Sequence, residues 1–111
     1  MRFSSFLATL PAVLAFAGVL HAGQLYGSVS ENGKPVANAP VAITCAGEQT
    51  KGSTNADGTY RITVMQQGRC TFTLTGRQGS PGVLVFSYDK PTLYDLEVAR
   101  KADGSNELRI R

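Results

Sequence analysis

The segment that most constrains this chain is Ser53 to Val64, where a tight-turn signal runs directly into a strict two-residue alternation. Asp57-Gly58 is a pair that tolerates positive φ. Beyond it, Tyr60, Ile62 and Val64 fall on one face of a strand while Arg61 and Thr63 fall on the other. A helical reading fails here, because side chains alternating every second residue would be scattered around a helix. The same arrangement recurs along the chain. Leu25 to Ser30 stops at Asn32-Gly33, Val41 to Cys45 at Ala46-Gly47, and Cys70 to Leu74 before Arg77 to Gly82. Tyr94, Leu96 and Val98 alternate with Asp95 and Glu97, and Leu108 and Ile110 close the chain after the turn Ala102 to Asn106. Lys34 to Pro40 carries two prolines, which removes it from any central strand and makes it an extended edge connection. About seven short strands at regular turn spacing predict an all-β fold, a small antiparallel sandwich.

Alternation also assigns faces. Cys45 lies with Val41 and Ile43, and Cys70 with Phe72 and Leu74, so both cysteines point toward the apolar side of their strands. They are the only cysteines of the chain. In an exported protein a lone inward-facing pair is read as one disulfide, worth about 3 to 4 kcal/mol on the chain-entropy account. The threonines between them, Thr71, Thr73 and Thr75, read as a solvated face of β-branched residues. Val83 to Tyr88 is apolar on both sides. Since a small sandwich has one interior, Leu84, Phe86 and Tyr88 form the candidate contact surface, unless the segment from Thr92 to Arg111 folds over them.

Export is read from the N-terminus. Met1-Arg2 precedes the apolar run Phe6 to Leu20, and the small residue Ala22 before Gly23 suits cleavage, giving a signal peptide at 1-22 and one domain at 23-111. The run is too short for a spanning helix, so no transmembrane segment is expected after cleavage. The chain is accordingly expected in the periplasm or outside the cell. Its formal net charge of +3, lowered by one when Arg2 leaves, is too small to suggest a nucleic-acid partner. The sole histidine, His21, leaves with the signal peptide, which removes the usual general base and zinc ligand from the mature chain. Asn55, Asp57 and Gly58 resemble part of a calcium loop but lack its later ligands. No metal, cofactor or catalytic residue is therefore expected.

Gly27-Ser28-Val29, then Gly33-Lys34-Pro35 through Ala39-Pro40-Val41, then Thr54-Asn55-Ala56-Asp57-Gly58-Thr59-Tyr60 resembles the carboxypeptidase regulatory-like domain. The match runs over roughly residues 23 to 75. The resemblance implies a transthyretin-like (prealbumin-like) sandwich of seven strands and an accessory role, since in metallocarboxypeptidases this domain accompanies a separate zinc domain. The expected function is a non-catalytic binding or interaction module for carbohydrate or an envelope protein. The alternative is a structural component of an envelope assembly that pairs through an edge strand. Tyr26, Tyr88 and Phe86 are the aromatic rings that alternation leaves at the surface to meet a sugar.

Overall fold

The computed structural model describes residues 23–111. The expected signal peptide lies outside the described residues. Ten strands follow in order: β1 (Gly23–Glu31), β2 (Lys34–Pro35), β3 (Pro40–Cys45), β4 (Glu48–Ser53), β5 (Thr59–Val64), β6 (Gly68–Thr73), β7 (Gly82–Ser87), β8 (Thr92–Leu93), β9 (Leu96–Arg100) and β10 (Asn106–Ile110). They form two sheets. In the first, β1 is flanked on one side by β5 and β2 and on the other by β8 and β9, with β10 outside β9. The second runs β4-β3-β6-β7.

The all-β sandwich expected from alternation is what forms, with one departure from purely antiparallel pairing. β8 and β9 both run parallel to β1. The chain leaves β7 in the second sheet, turns at Asp89 to Pro91 and enters the first sheet along the open flank of β1. A crossover between sheets is free of the hairpin constraint that forces antiparallel neighbours. The strand total of ten exceeds the expected seven or so chiefly through the two-residue strands β2 and β8, short pairings along β1 that alternation does not register.

The interior follows the predicted parity. Tyr60, Ile62 and Val64 are buried from β5, Phe72 and Leu74 from β6 and its end, and Val41, Ile43 and Cys45 from β3. The rings of Tyr60 and Phe72 lie 4.9 Å apart in a tilted arrangement that joins the two sheets. Burying a side chain such as Phe72 stabilises the fold by about 1.5 to 3 kcal/mol over leaving it in water. Cys45 and Cys70 are direct cross-strand partners on the inner side of the second sheet, their Cα atoms 4.4 Å apart and their sulfurs bonded. The bridge thus staples β3 to β6 within one sheet.

The turn that opened the sequence argument is built around two side chains. Asn55 Oδ1 accepts the N–H groups of Asp57 and Thr59, and Gly58 takes φ 76° while passing close to Pro35. A Cβ at Gly58 would sit 2.7 Å from that of Pro35. Thr54 is buried; its hydroxyl donates to the Val36 carbonyl at 2.7 Å and accepts the Ala39 N–H at 2.9 Å. The proline-containing connection is held against the sandwich by this threonine together with the Val36 N–H on the Val29 carbonyl and the Asn38 N–H on the Asn55 carbonyl.

Two residues depart from their expected places. Ile110 is 47% exposed rather than in the core, because β10 is the outermost strand of its sheet and Ile110 is its last residue. Tyr94 is not a strand residue; it sits in the link between β8 and β9.

Candidate functional site

On β7 the two sets of side chains part as alternation requires. Val85 and Ser87 are fully buried, whereas Leu84 is 45%, Phe86 38% and the following Tyr88 53% exposed. The C-terminal segment does not cover them: β9 and β10 belong to the other sheet. Phe86 and Tyr88 lie with ring centroids 6.4 Å apart and planes inclined by 25°, one ring stacked beside the other. Cross-strand neighbours on the same outer face are Thr71 beside Leu84 and Arg69 beside Phe86.

β7 is also the last strand of its sheet, so alternate backbone groups point away from β6. One of these positions is filled. The Phe86 N–H donates to the Tyr94 hydroxyl at 3.0 Å, and that hydroxyl approaches the Phe86 carbonyl at 3.4 Å. Tyr94 is itself held on three sides. Its N–H donates to the Tyr26 carbonyl at 2.9 Å, its carbonyl accepts the Tyr60 hydroxyl at 2.7 Å, and Gly27 packs directly against it. A Cβ on Gly27 would stand 2.0 Å from the Tyr94 carbonyl oxygen, which is why β1 has glycine there. Burial pushes the Tyr60 phenol well above its ordinary range, with the Asp95 carboxylate and then Tyr94 adding to the shift.

The outer face of the first sheet carries a groove of about 530 Å³ lined by Tyr26, Ser28, Asn55, Thr59, Arg61 and Asp95, among others. Its polar groups are largely committed to one another. Asp95 Oδ1 accepts both the N–H and the hydroxyl of Ser28, at 3.1 and 2.9 Å. The Arg61 guanidinium lies 4.8 Å above the Tyr26 ring and donates to Gln24 at 2.7 Å. Tyr26, expected as a surface ring for a sugar, thus has one face covered by Arg61.

No family model matches the chain, and no curated protein sequence matches it. A solved structure does: a DUF3823 family protein from Parabacteroides merdae superposes with a TM-score of 0.53 at 17% identity, over 81% of this chain and 58% of that one. This chain is a β-sandwich of that general shape. It spans little more than half the length of that protein, and at this identity the likeness is one of fold.

The structure therefore brings Leu84, Phe86 and Tyr88 together on one exposed strip. It keeps Cys45 and Cys70 in the interior, away from any groove. Alternation sets Asp95 outward with Glu97 but does not register its hold on Ser28. The signal was absent, because the two residues meet only through the parallel crossover. Among the described residues no group of three or more His, Cys, Asp or Glu side chains is placed to hold a metal ion.

Proposed function

We propose that this chain is an exported, non-catalytic binding module that meets carbohydrate or an envelope protein through the outer side of β7. The observation that carries the reading is the exposure of Leu84, Phe86 and Tyr88 in one row along the edge strand β7 and just past its end, with the two rings stacked near-parallel. Apolar side chains of this size grouped at a surface ordinarily mark a contact. The same proposal puts the protein in the periplasm. The buried disulfide suits an oxidising compartment, and no helix among the described residues is long and apolar enough to cross a membrane. Kinship with carboxypeptidase regulatory-like domains and their transthyretin-like topology belongs here too. It is supported by the structural tasks of the quoted motif, in which Thr54, Asn55 and Gly58 build the turn before Tyr60.

Binding of the exported protein to a glycan array and to a periplasmic extract tests the proposal, with Tyr88→Ala as the comparison. Capture that weakens in Tyr88→Ala supports it; capture that Tyr88→Ala leaves untouched places the contact elsewhere. The alternative, strand pairing at an edge, is weakened at β7 because the Tyr94 hydroxyl occupies the backbone of Phe86. Tyr94→Phe removes that plug. If the β7 edge is suited to pairing, this variant self-associates in sedimentation where the parent does not; a Tyr94→Phe protein that stays in the parent's state leaves the face as the contact.

A further inference from the structure

We infer that the outer face of the second sheet takes a polyanionic glycan chain, its sugar rings on Phe86 and Tyr88 and its acidic groups on Arg69 and Lys51. This rests on the proposed contact surface and names what it binds. The argument begins from register. Lys51, Ala42, Thr73 and Gly82 form one row across the four strands, and Gln49, Thr44, Thr71 and Leu84 form the next. Arg69 and Phe86 form a third, adjacent pair. Cross-strand partners share a face, so all these side chains point outward together.

The composition of that face is one-sided. Its strand positions carry two cations, a set of threonine hydroxyls and an aromatic strip, and no carboxylate. Glu48 has the opposite parity on β4 and is engaged by the Gln66 amide. Asp89 follows Tyr88 outside the strand, with Lys90 beside it. The first sheet differs: there Glu97 pairs with Arg109 at 3.4 Å and Asp95 with Ser28. Arg69 and Lys51 take part in none of the protein's ion pairs among the described residues.

Dimensions fit a sugar chain. Four strands at their usual spacing span about 14 Å, close to the length of a short oligosaccharide, and rows along the strands lie about 7 Å apart. At the Lys51 side a groove of about 400 Å³ is floored by Ala42 and walled by Gln49, Lys51 and Thr75. At the other side the stacked pair leaves an exposed aromatic face of the kind that packs on a pyranose. A lipid surface suits the face less well. Leu84 and Phe86 lie on a strand rather than on a protruding loop, and hydroxyls separate the two cations.

Affinity electrophoresis of the exported protein in gels containing polygalacturonate, or the same polymer fully methyl-esterified, isolates charge from sugar. The expected result is retardation by the acid form, weakened about tenfold by esterification. Phe86→Ala weakens it by a similar factor, and Arg69→Gln or Lys51→Gln by about threefold each. Arg61→Gln, which removes the same charge from the opposite face, leaves retardation unchanged. Circular dichroism establishes that each variant is folded. Equal retardation by the acid and esterified polymers, lost in Phe86→Ala, overturns the polyanion while the contact surface stands. Equal weakening by Arg61→Gln and Arg69→Gln also overturns it, by showing diffuse attraction. Capture by phosphatidylglycerol vesicles without retardation by polygalacturonate makes the occupant a lipid surface and refutes the glycan. No retardation and no vesicle capture, with Phe86→Ala silent in every assay, removes both this inference and the contact surface beneath it.

Discussion

The two outer faces of this sandwich use similar residue types in opposite ways. On the first sheet, cation, ring and carboxylate are spent on one another: Arg61 lies over Tyr26, Asp95 holds Ser28, and Glu97 meets Arg109. On the second, Arg69 and Lys51 stand apart from carboxylates, and the rings of Phe86 and Tyr88 are stacked only on each other. The register decides the difference. On the first sheet Tyr26 stands opposite Arg61 and Glu97 opposite Arg109, and the Tyr94-Asp95 link adds the carboxylate that holds Ser28. On the second sheet, among the described residues, no carboxylate shares the outward strand positions with Arg69 and Lys51.

The largest effect is expected where the first face is assembled. Gly27→Ala drives a Cβ into the Tyr94 carbonyl, separates the link from β1 and frees the Asp95 carboxylate from Ser28. A loss of about 4 kcal/mol or more in urea unfolding is the expected outcome. A loss below about 1 kcal/mol would show that the link is not held by that close approach.

The corresponding change in the second sheet is removal of the disulfide. Cys45 and Cys70 are separated by 25 residues. Replacing both by Ala is expected to lower stability by about 3 kcal/mol, less any relaxation of the native state. Because both sulfurs are buried on the inner side, glycan retardation should persist wherever the variant remains folded. Its loss in a folded variant would tie the outer face to the bridge.

Alkaline titration sharpens the contrast from the interior. The Tyr60 phenol keeps its proton to higher pH in the folded chain than in the unfolded one. Its contribution is therefore fully present below the unfolded value of about 10 and is lost as pH rises through the folded value. Thermal unfolding should be level up to about pH 10 and fall beyond it, and Tyr60→Phe should flatten that fall at a cost of about 1 kcal/mol near neutrality. An alkaline limb unchanged in Tyr60→Phe would assign it to other groups.

The smallest effect belongs to the proposed contact strip. Phe86→Ser is expected to change stability by about 0.5 kcal/mol, whereas its inward neighbour Val85→Ala should cost about 2 kcal/mol. A loss of about 3 kcal/mol for Phe86→Ser, the size typical of a core aromatic, would remove the distinction between the inner and outer sides of β7.

Much of this was legible in the residues. Alternation in Tyr60 to Val64 and in Cys70 to Leu74 assigns the inner faces, the cysteine parities imply the bridge, and parity sets Leu84, Phe86 and Tyr88 opposite Val83, Val85 and Ser87 while leaving open whether Thr92 to Arg111 covers them. These are period-two arguments within single strands, and a strand's pleat enforces them locally. Ile110 failed because alternation says which side a residue faces, not whether another layer reaches far enough to cover it. Asp95 and Tyr94 failed for a different reason: their partners lie 67 and 8 residues away and meet them only through sheet crossings.

By itself the sequence determined the strands, their turns, the inward sets and the cysteine pair, because turn chemistry and pleat parity act over a few residues. The tertiary structure alone decided that β8 and β9 would run parallel to β1, that Gly27 would admit the Tyr94 link, and that the β7 face would stay uncovered. Each of those outcomes depends on which strand the chain joins after leaving a sheet, and that choice is settled by packing between segments far apart in the chain, where local preference has no hold.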